Sequence, residues 1–148
     1  MSLMEKINTD LIVAMKSKNE SALRAVRAVK SALLLLKTES SGKEISLDDE
    51  NKLLQRLVKQ RKESIEVFTA QNRNDLATSE MEELKIIESY LPKQMTAEEI
   101  ESELKKIINE SGAKSIADIG KVMPLAIKSF AGKADGKTIS EVLKKLLA

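Results

Sequence analysis

The sequence predicts an all-α protein, with an N-terminal helical bundle followed by a small three-helix C-terminal domain. Three observations carry that expectation. Apolar residues recur at intervals of three and four along nearly every segment, the period of one helix face. The punctuation between segments is made of helix-capping residues, five glycines and only two prolines in 148 residues. No run alternates apolar and polar residues long enough to argue for a strand. A hydrophobic share of 42% against 32% charged residues marks a globular chain rather than a disordered one. With Phe68, Tyr90 and Phe130 as the sole aromatics, its core has to be aliphatic.

The elements follow in order. Ile7, Leu11, Val13 and Ala14 share helical spacing, so residues 3–17 read as a first helix. Asn19 can cap a second, from Glu20 to about Lys37, with Leu23, Val26, Leu33 and Leu34 inward. Arg24, Arg27 and Lys30 form a basic ridge on that helix. Ser40-Ser41-Gly42-Lys43 is a loop, and Ser46 followed by Asp48-Asp49-Glu50 opens a third helix. Acids in a first turn favour the positive end of the helix dipole. This helix should run to about Thr69, through Leu53, Leu54, Leu57, Val58, Ile65 and Phe68. Ser79 with Glu82 fits a capping box for a fourth helix, although a start near Asp75 is also open. Pro92 stops it at Leu91.

Pro92-Lys93-Gln94-Met95 is the strongest boundary in the chain, dividing residues 1–93 from 94–148. Beyond it, Thr96 and Glu99 make a capping box ahead of Ile100, Leu104, Ile107 and Ile108, and Gly112 ends that helix. Ser115 should cap the next, which buries Ile119, Val122, Met123, Ala126 and Phe130. Pro124 removes the amide that would bond to the Gly120 carbonyl, so a kink or break is expected there. Lys133 to Lys137 is a turn, and Thr138 with Glu141 boxes the last helix.

Chemistry is sparse. There is no histidine and no cysteine, which removes the commonest general base, the thiolate nucleophile and the usual transition-metal ligands. The acid pairs Glu82-Glu83 and Glu98-Glu99, and the triplet Asp48-Asp49-Glu50, all fall at expected helix starts and read as capping acids. Gly120-Lys121 lacks the spacing of a phosphate loop, and Asp135-Gly136 lacks the oxygens of a calcium loop. No catalytic residue, metal site or cofactor is assigned, and an enzyme acting alone is not expected. No apolar run, Ala32 to Leu36 included, is long enough to span a bilayer. The N-terminal residues lack a signal-peptide pattern. A cytoplasmic location and no membrane partner are therefore expected.

What remains is charge. The net charge is +2. Residues 80–113 carry four bases against nine acids, and residues 114–148 carry seven lysines against three acids. Lys114, Lys121, Lys128, Lys133 and Lys137 lie within 24 residues, and the last two flank a glycine turn feeding a helix start. Lysines beside free helix-end amides suit phosphate. Phe68 and Phe130 sit on apolar faces and read as core, so any RNA would be recognised by backbone shape, as a folded tRNA can be. Solvation of a small helical surface explains the same lysines.

Four segments carry a resemblance: LRAVRAVKSAL (23–33), LVKQRKESIEVF (57–68), EELKIIESYLPKQMTAEEI (82–100) and DIGKVMPLAIKSFAGKADGKTISEVLKKLL (118–147). With their spacing they cover essentially the whole chain, which resembles the GatB/YqeY family and within it the free-standing YqeY-like type. The same module forms the C-terminal helical region of the GatB component of the tRNA-dependent (Asp/Glu-tRNA) amidotransferase. The resemblance implies a helical bundle joined to a small tail domain at a Tyr-Leu-Pro motif, here Tyr90-Leu91-Pro92. It implies a tail that helps to hold tRNA, and it points to Lys121, Lys128, Gly132, Lys133, Gly136 and Lys137. It also implies association with amidotransferase or aminoacyl-tRNA synthesis proteins, in a family carrying carbon–nitrogen ligase activity with glutamine as amido donor. The catalytic domain that would activate the carboxylate has no counterpart in this sequence, so a non-catalytic tRNA-binding module is the expectation, with no DNA partner. Pro124 departs from the pattern, where glycine is expected. The alternative is a protein-interaction module docking an acidic partner.

Overall fold

The computed structural model describes residues 1–148, and every regular element in it is helical. Seven α-helices follow one another: α1 Leu3–Ser17, α2 Glu20–Glu39, α3 Leu47–Ala70, α4 Asn74–Glu88, α5 Ala97–Ser111, α6 Ile119–Phe130 and α7 Gly136–Leu147. A single 3-10 turn, Ile116–Asp118, leads into α6. They form two compact units, Met1–Leu91 and Pro92–Ala148.

The starts of most helices are chemically explicit. Ser2 caps α1 and forms a capping box with Glu5. Asn19 accepts from the Ala22 amide at α2, Ser46 from the Asp49 amide at α3, and Thr96 from the Glu99 amide at α5. Each satisfies an amide that has no partner within its helix. Two expected caps fall elsewhere. Ser79 lies inside α4, which starts at Asn74 with no side-chain cap, and its hydroxyl accepts from the Arg24 guanidinium at 3.1 Å. The last helix begins at Gly136, with Asp135 rather than Thr138 as its N-cap residue. In both cases the helix begins N-terminal to the side chain expected to cap it. Pro124 does not break α6.

In the first unit Leu3, Ile7, Ala25, Val26, Val29, Leu33, Leu53, Leu54 and Ile87 build a continuous aliphatic core. Phe68, expected inside, is only half-buried, near the end of α3 and beside Val67, which is exposed. Tyr90 donates its hydroxyl to Asp10, linking the chain after α4 to α1. Burial and the Asp10 carboxylate both push the Tyr90 phenol above its ordinary pKa.

The acids Glu82 and Glu83 do not open a helix. They lie mid-way along α4, where Glu82 accepts from the Ser21 hydroxyl at 2.6 Å. Glu83 is 7% exposed and sits between Arg24 of α2 (3.8 Å) and Arg61 of α3 (3.5 Å). Arg61 also reaches Glu80 at 3.5 Å. The network thus ties three helices together, and Arg24 is not part of a free basic ridge.

Replacing Glu83 by Gln keeps the volume and removes the charge that two guanidiniums share. Because both arginines remain partly solvated, the expected loss is about 1–2 kcal/mol, below the range for fully buried pairs. Urea unfolding should show a lower midpoint at unchanged slope. Lys52→Ala, which breaks an exposed pair with Asp48, should leave the midpoint essentially where it is in the parent.

Candidate nucleic-acid interface

The second unit is a three-helix packet around Ile100, Leu104, Ile107, Val122, Ala126, Phe130, Ile139, Leu143 and Leu147. Val122, Ala126 and Phe130 repeat every four residues and turn one face of α6 inward. The opposite face is therefore solvent, and there Lys121, Leu125 and Lys128 are exposed.

At the start of α6 the carboxylate of Asp118 accepts from the backbone amides of Lys114, at 2.9 Å, and Ser115, at 3.3 Å. Those two bonds hold its pKa below the ordinary carboxylate value, helped by the nearby Lys121 and Lys114. At the end of α6, Ala131 (φ 32°) and Gly132 (φ 80°) both adopt positive φ and reverse the chain. The Lys133 amide donates to the Phe130 carbonyl at 2.7 Å, closing the turn. Asp135 is extended and offers no side-chain cap, so the first-turn amides of α7, at Gly136 and Lys137, are left without a side-chain acceptor.

This reversal gathers most of the predicted positions. Lys128 lies in the last turn of α6, Gly132 and Lys133 in the loop, and Gly136 and Lys137 in the first turn of α7. Lys121 is separate. It lies seven residues before Lys128 on the same face, about 10 Å along the helix at 1.5 Å per residue. All four lysines are exposed, and none takes part in an ion pair. Gly132 needs its residue type for the positive φ. Gly136 does not, since a methyl group there would meet nothing within 4 Å.

One cation escaped the sequence reading. Lys93, in the segment before α5, lines a cleft of about 570 Å³ together with Lys133, Gln94, Glu99, Glu103 and Ser129. The Met95 amide donates to the Lys133 carbonyl at 2.8 Å, and Gln94 Nε2 donates to the Gly132 carbonyl at 2.9 Å. Pro92-Lys93-Gln94-Met95 reads from sequence as a boundary alone, and nothing in its spacing announces that pairing. No three His, Cys, Asp or Glu residues are grouped so that they could hold a metal ion. No helix is long and apolar enough to cross a membrane.

Residues 4–147 match the family described as Yqey-like protein. The chain is 28% identical over 148 residues to Altered inheritance of mitochondria protein 41, mitochondrial, of Pyrenophora tritici-repentis, covering 98% of this chain and 81% of that one. The Saccharomyces cerevisiae protein of the same name is 34% identical over 136 residues, covering 88% of this chain and 69% of its own. With the Lachancea thermotolerans protein the identity is 32% over 99 residues, 67% of this chain and 53% of that one.

These relatives correct the expected location. They are named as mitochondrial proteins, which overturns the cytoplasmic expectation. Neither cysteine content nor helix length identifies a compartment, so those features carried no signal for location. With the match running nearly end to end through both helical units, the chain belongs to the Yqey-like protein family.

Proposed function

We propose that this chain is a non-catalytic tRNA-binding or tRNA-associated protein linked to tRNA-dependent amidotransferase systems, with its C-terminal domain, residues 94–148, carrying the contact. The observation behind this reading is the α6–α7 reversal, where exposed, unpaired Lys128, Lys133 and Lys137 lie on either side of a turn that feeds an uncapped helix start. Phosphate oxygens are the ligands that such donors fit. Phe130 is 2% exposed and offers no ring for stacking, which favours recognition of a folded backbone over a single strand. Lys121 would extend the contact along α6. Any carbon–nitrogen ligase chemistry belongs, on this reading, to partner proteins of amide transfer or aminoacyl-tRNA synthesis. One observation favours a protein partner instead: Leu125 and Ile127 are 49% and 46% exposed on the same helix as Lys121 and Lys128. A stoichiometric complex that survives nuclease treatment would select that alternative.

The decisive measurement is binding to folded tRNA across a salt series, with an unstructured RNA of equal length as control. Selective binding is expected, and Lys133→Ala with Lys137→Ala should lower the salt slope by about 1–2. Equal binding to both RNAs, or none at low salt, overturns the reading. Gly136→Ala separates fold from ligand. With ordinary φ and open space it should stabilise the protein by about 0.4–1 kcal/mol. If tRNA approaches the α7 amides, the same variant should bind tRNA more weakly.

A further inference from the structure

The cleft between the Pro92–Thr96 segment and the α6–α7 loop has a composition that a plain phosphate site would not need. Two lysines, Lys93 and Lys133, face it, and so do two acids one helical turn apart on α5, Glu99 and Glu103. Both acids are partly engaged. Glu99 accepts from the Thr96 amide at 3.3 Å as the return arm of the capping box, and Glu103 takes an ion pair from Lys106 at 3.4 Å. A carboxylate offers about four lone-pair sites, so each retains acceptor capacity. Neither cleft lysine has an acid within ion-pair distance.

The walls are held in register. Gln94 Nε2 donates to both the Pro92 and Gly132 carbonyls at 2.9 Å, and the Met95 amide donates to the Lys133 carbonyl at 2.8 Å. The segments bearing the two lysines are therefore fixed against each other before any ligand arrives, which lowers the ordering cost of binding. The volume, about 570 Å³, is in the usual range of small-ligand sites, about 300–1,000 Å³. An isolated anion would be attracted by the lysines and repelled by the acids. A group that combines a phosphate with a neighbouring hydroxyl donor satisfies both. An RNA backbone has that combination in its phosphate and 2′-hydroxyl, and a DNA backbone lacks the donor.

We propose that this cleft receives one ribose–phosphate unit of an RNA backbone, with Lys93 and Lys133 on the phosphate and Glu103 accepting from the ribose 2′-hydroxyl. The assignment rests on the RNA-binding reading above and adds to it a second wall and a basis for choosing RNA over DNA. Glu103 is then a specificity residue whose negative charge works against overall affinity.

The test uses fluorescence anisotropy with a labelled RNA hairpin and its fully 2′-O-methylated counterpart, which keeps the helix form and loses the hydroxyl donor. Wild-type protein should prefer the unmodified hairpin by about 10–100-fold, the scale of one hydrogen bond to a charged acceptor. Lys93→Ala should lower the salt slope by about one, and so should Lys133→Ala. Lys105→Ala, which removes a lysine paired with Glu101 elsewhere on α5, should leave the slope nearly unchanged. Glu103→Ala should bring the preference close to one, and Glu103→Gln, which keeps a carbonyl acceptor, should retain part of it. Equal tightening of both probes by Glu103→Ala would mean that the carboxylate only repels, and the proposal fails. It fails too if Lys93→Ala and Lys105→Ala change the slope alike. Salt-dependent wild-type binding without preference leaves the RNA reading standing and sinks this one. Wild-type binding to neither hairpin nor to folded tRNA sinks both.

Discussion

Burial of Val122, Ala126 and Phe130 along one side of α6 is the constraint on which the tail of this protein depends. Phe130 is the only aromatic residue in the second unit, and it closes an otherwise aliphatic core at the end of the helix. Once that face is turned inward, Lys121 and Lys128 have only solvent to point toward, and the chain must reverse directly after Phe130. The reversal in turn places Lys133 and the start of α7. A basic surface is thus produced by packing: the lysines are where the core leaves no other place for a charge.

The first unit solves a different problem. Its helices are longer on average, and three of them share the Arg24–Glu83–Arg61 network. Aliphatic side chains pack well but specify partners weakly, because many arrangements of leucine and valine have similar energies. A nearly buried acid that needs guanidiniums from two other helices is far more selective about register. The network therefore contributes more to choosing one arrangement of α2, α3 and α4 than to the total free energy of folding.

Most of the helical framework was legible in the sequence, because capping side chains and the three-four spacing are local signals. Asn19, Ser46 and Thr96 all cap where their position relative to the following apolar run says they should. The misreadings share one cause. Ser79, Glu82 and Thr138 have the chemistry of helix starts, and Glu83 that of a first-turn acid, yet all four lie inside helices whose beginnings are set by packing, with partners on other elements for Ser79, Glu82 and Glu83. Local chemistry cannot announce a partner more than fifty residues away. Lys93 was missed for the same reason, since its neighbour in the cleft lies across the unit. The location was missed because the folded segment's composition does not encode it.

The Gln94–Gly132 hydrogen bond spans 38 residues, and the Met95–Lys133 bond runs beside it. Together they fasten the entrance of the second unit to a turn near its far end. During synthesis, α5 can form as soon as it emerges, but its leading segment has nothing to attach to until residue 133 has also cleared the ribosome. Closing so long a loop costs entropy that is recovered only when α6 and α7 dock. These two anchors therefore exist only once the turn at Gly132–Lys133 is in place, and a chain truncated before it would leave the segment ahead of α5 without either of them.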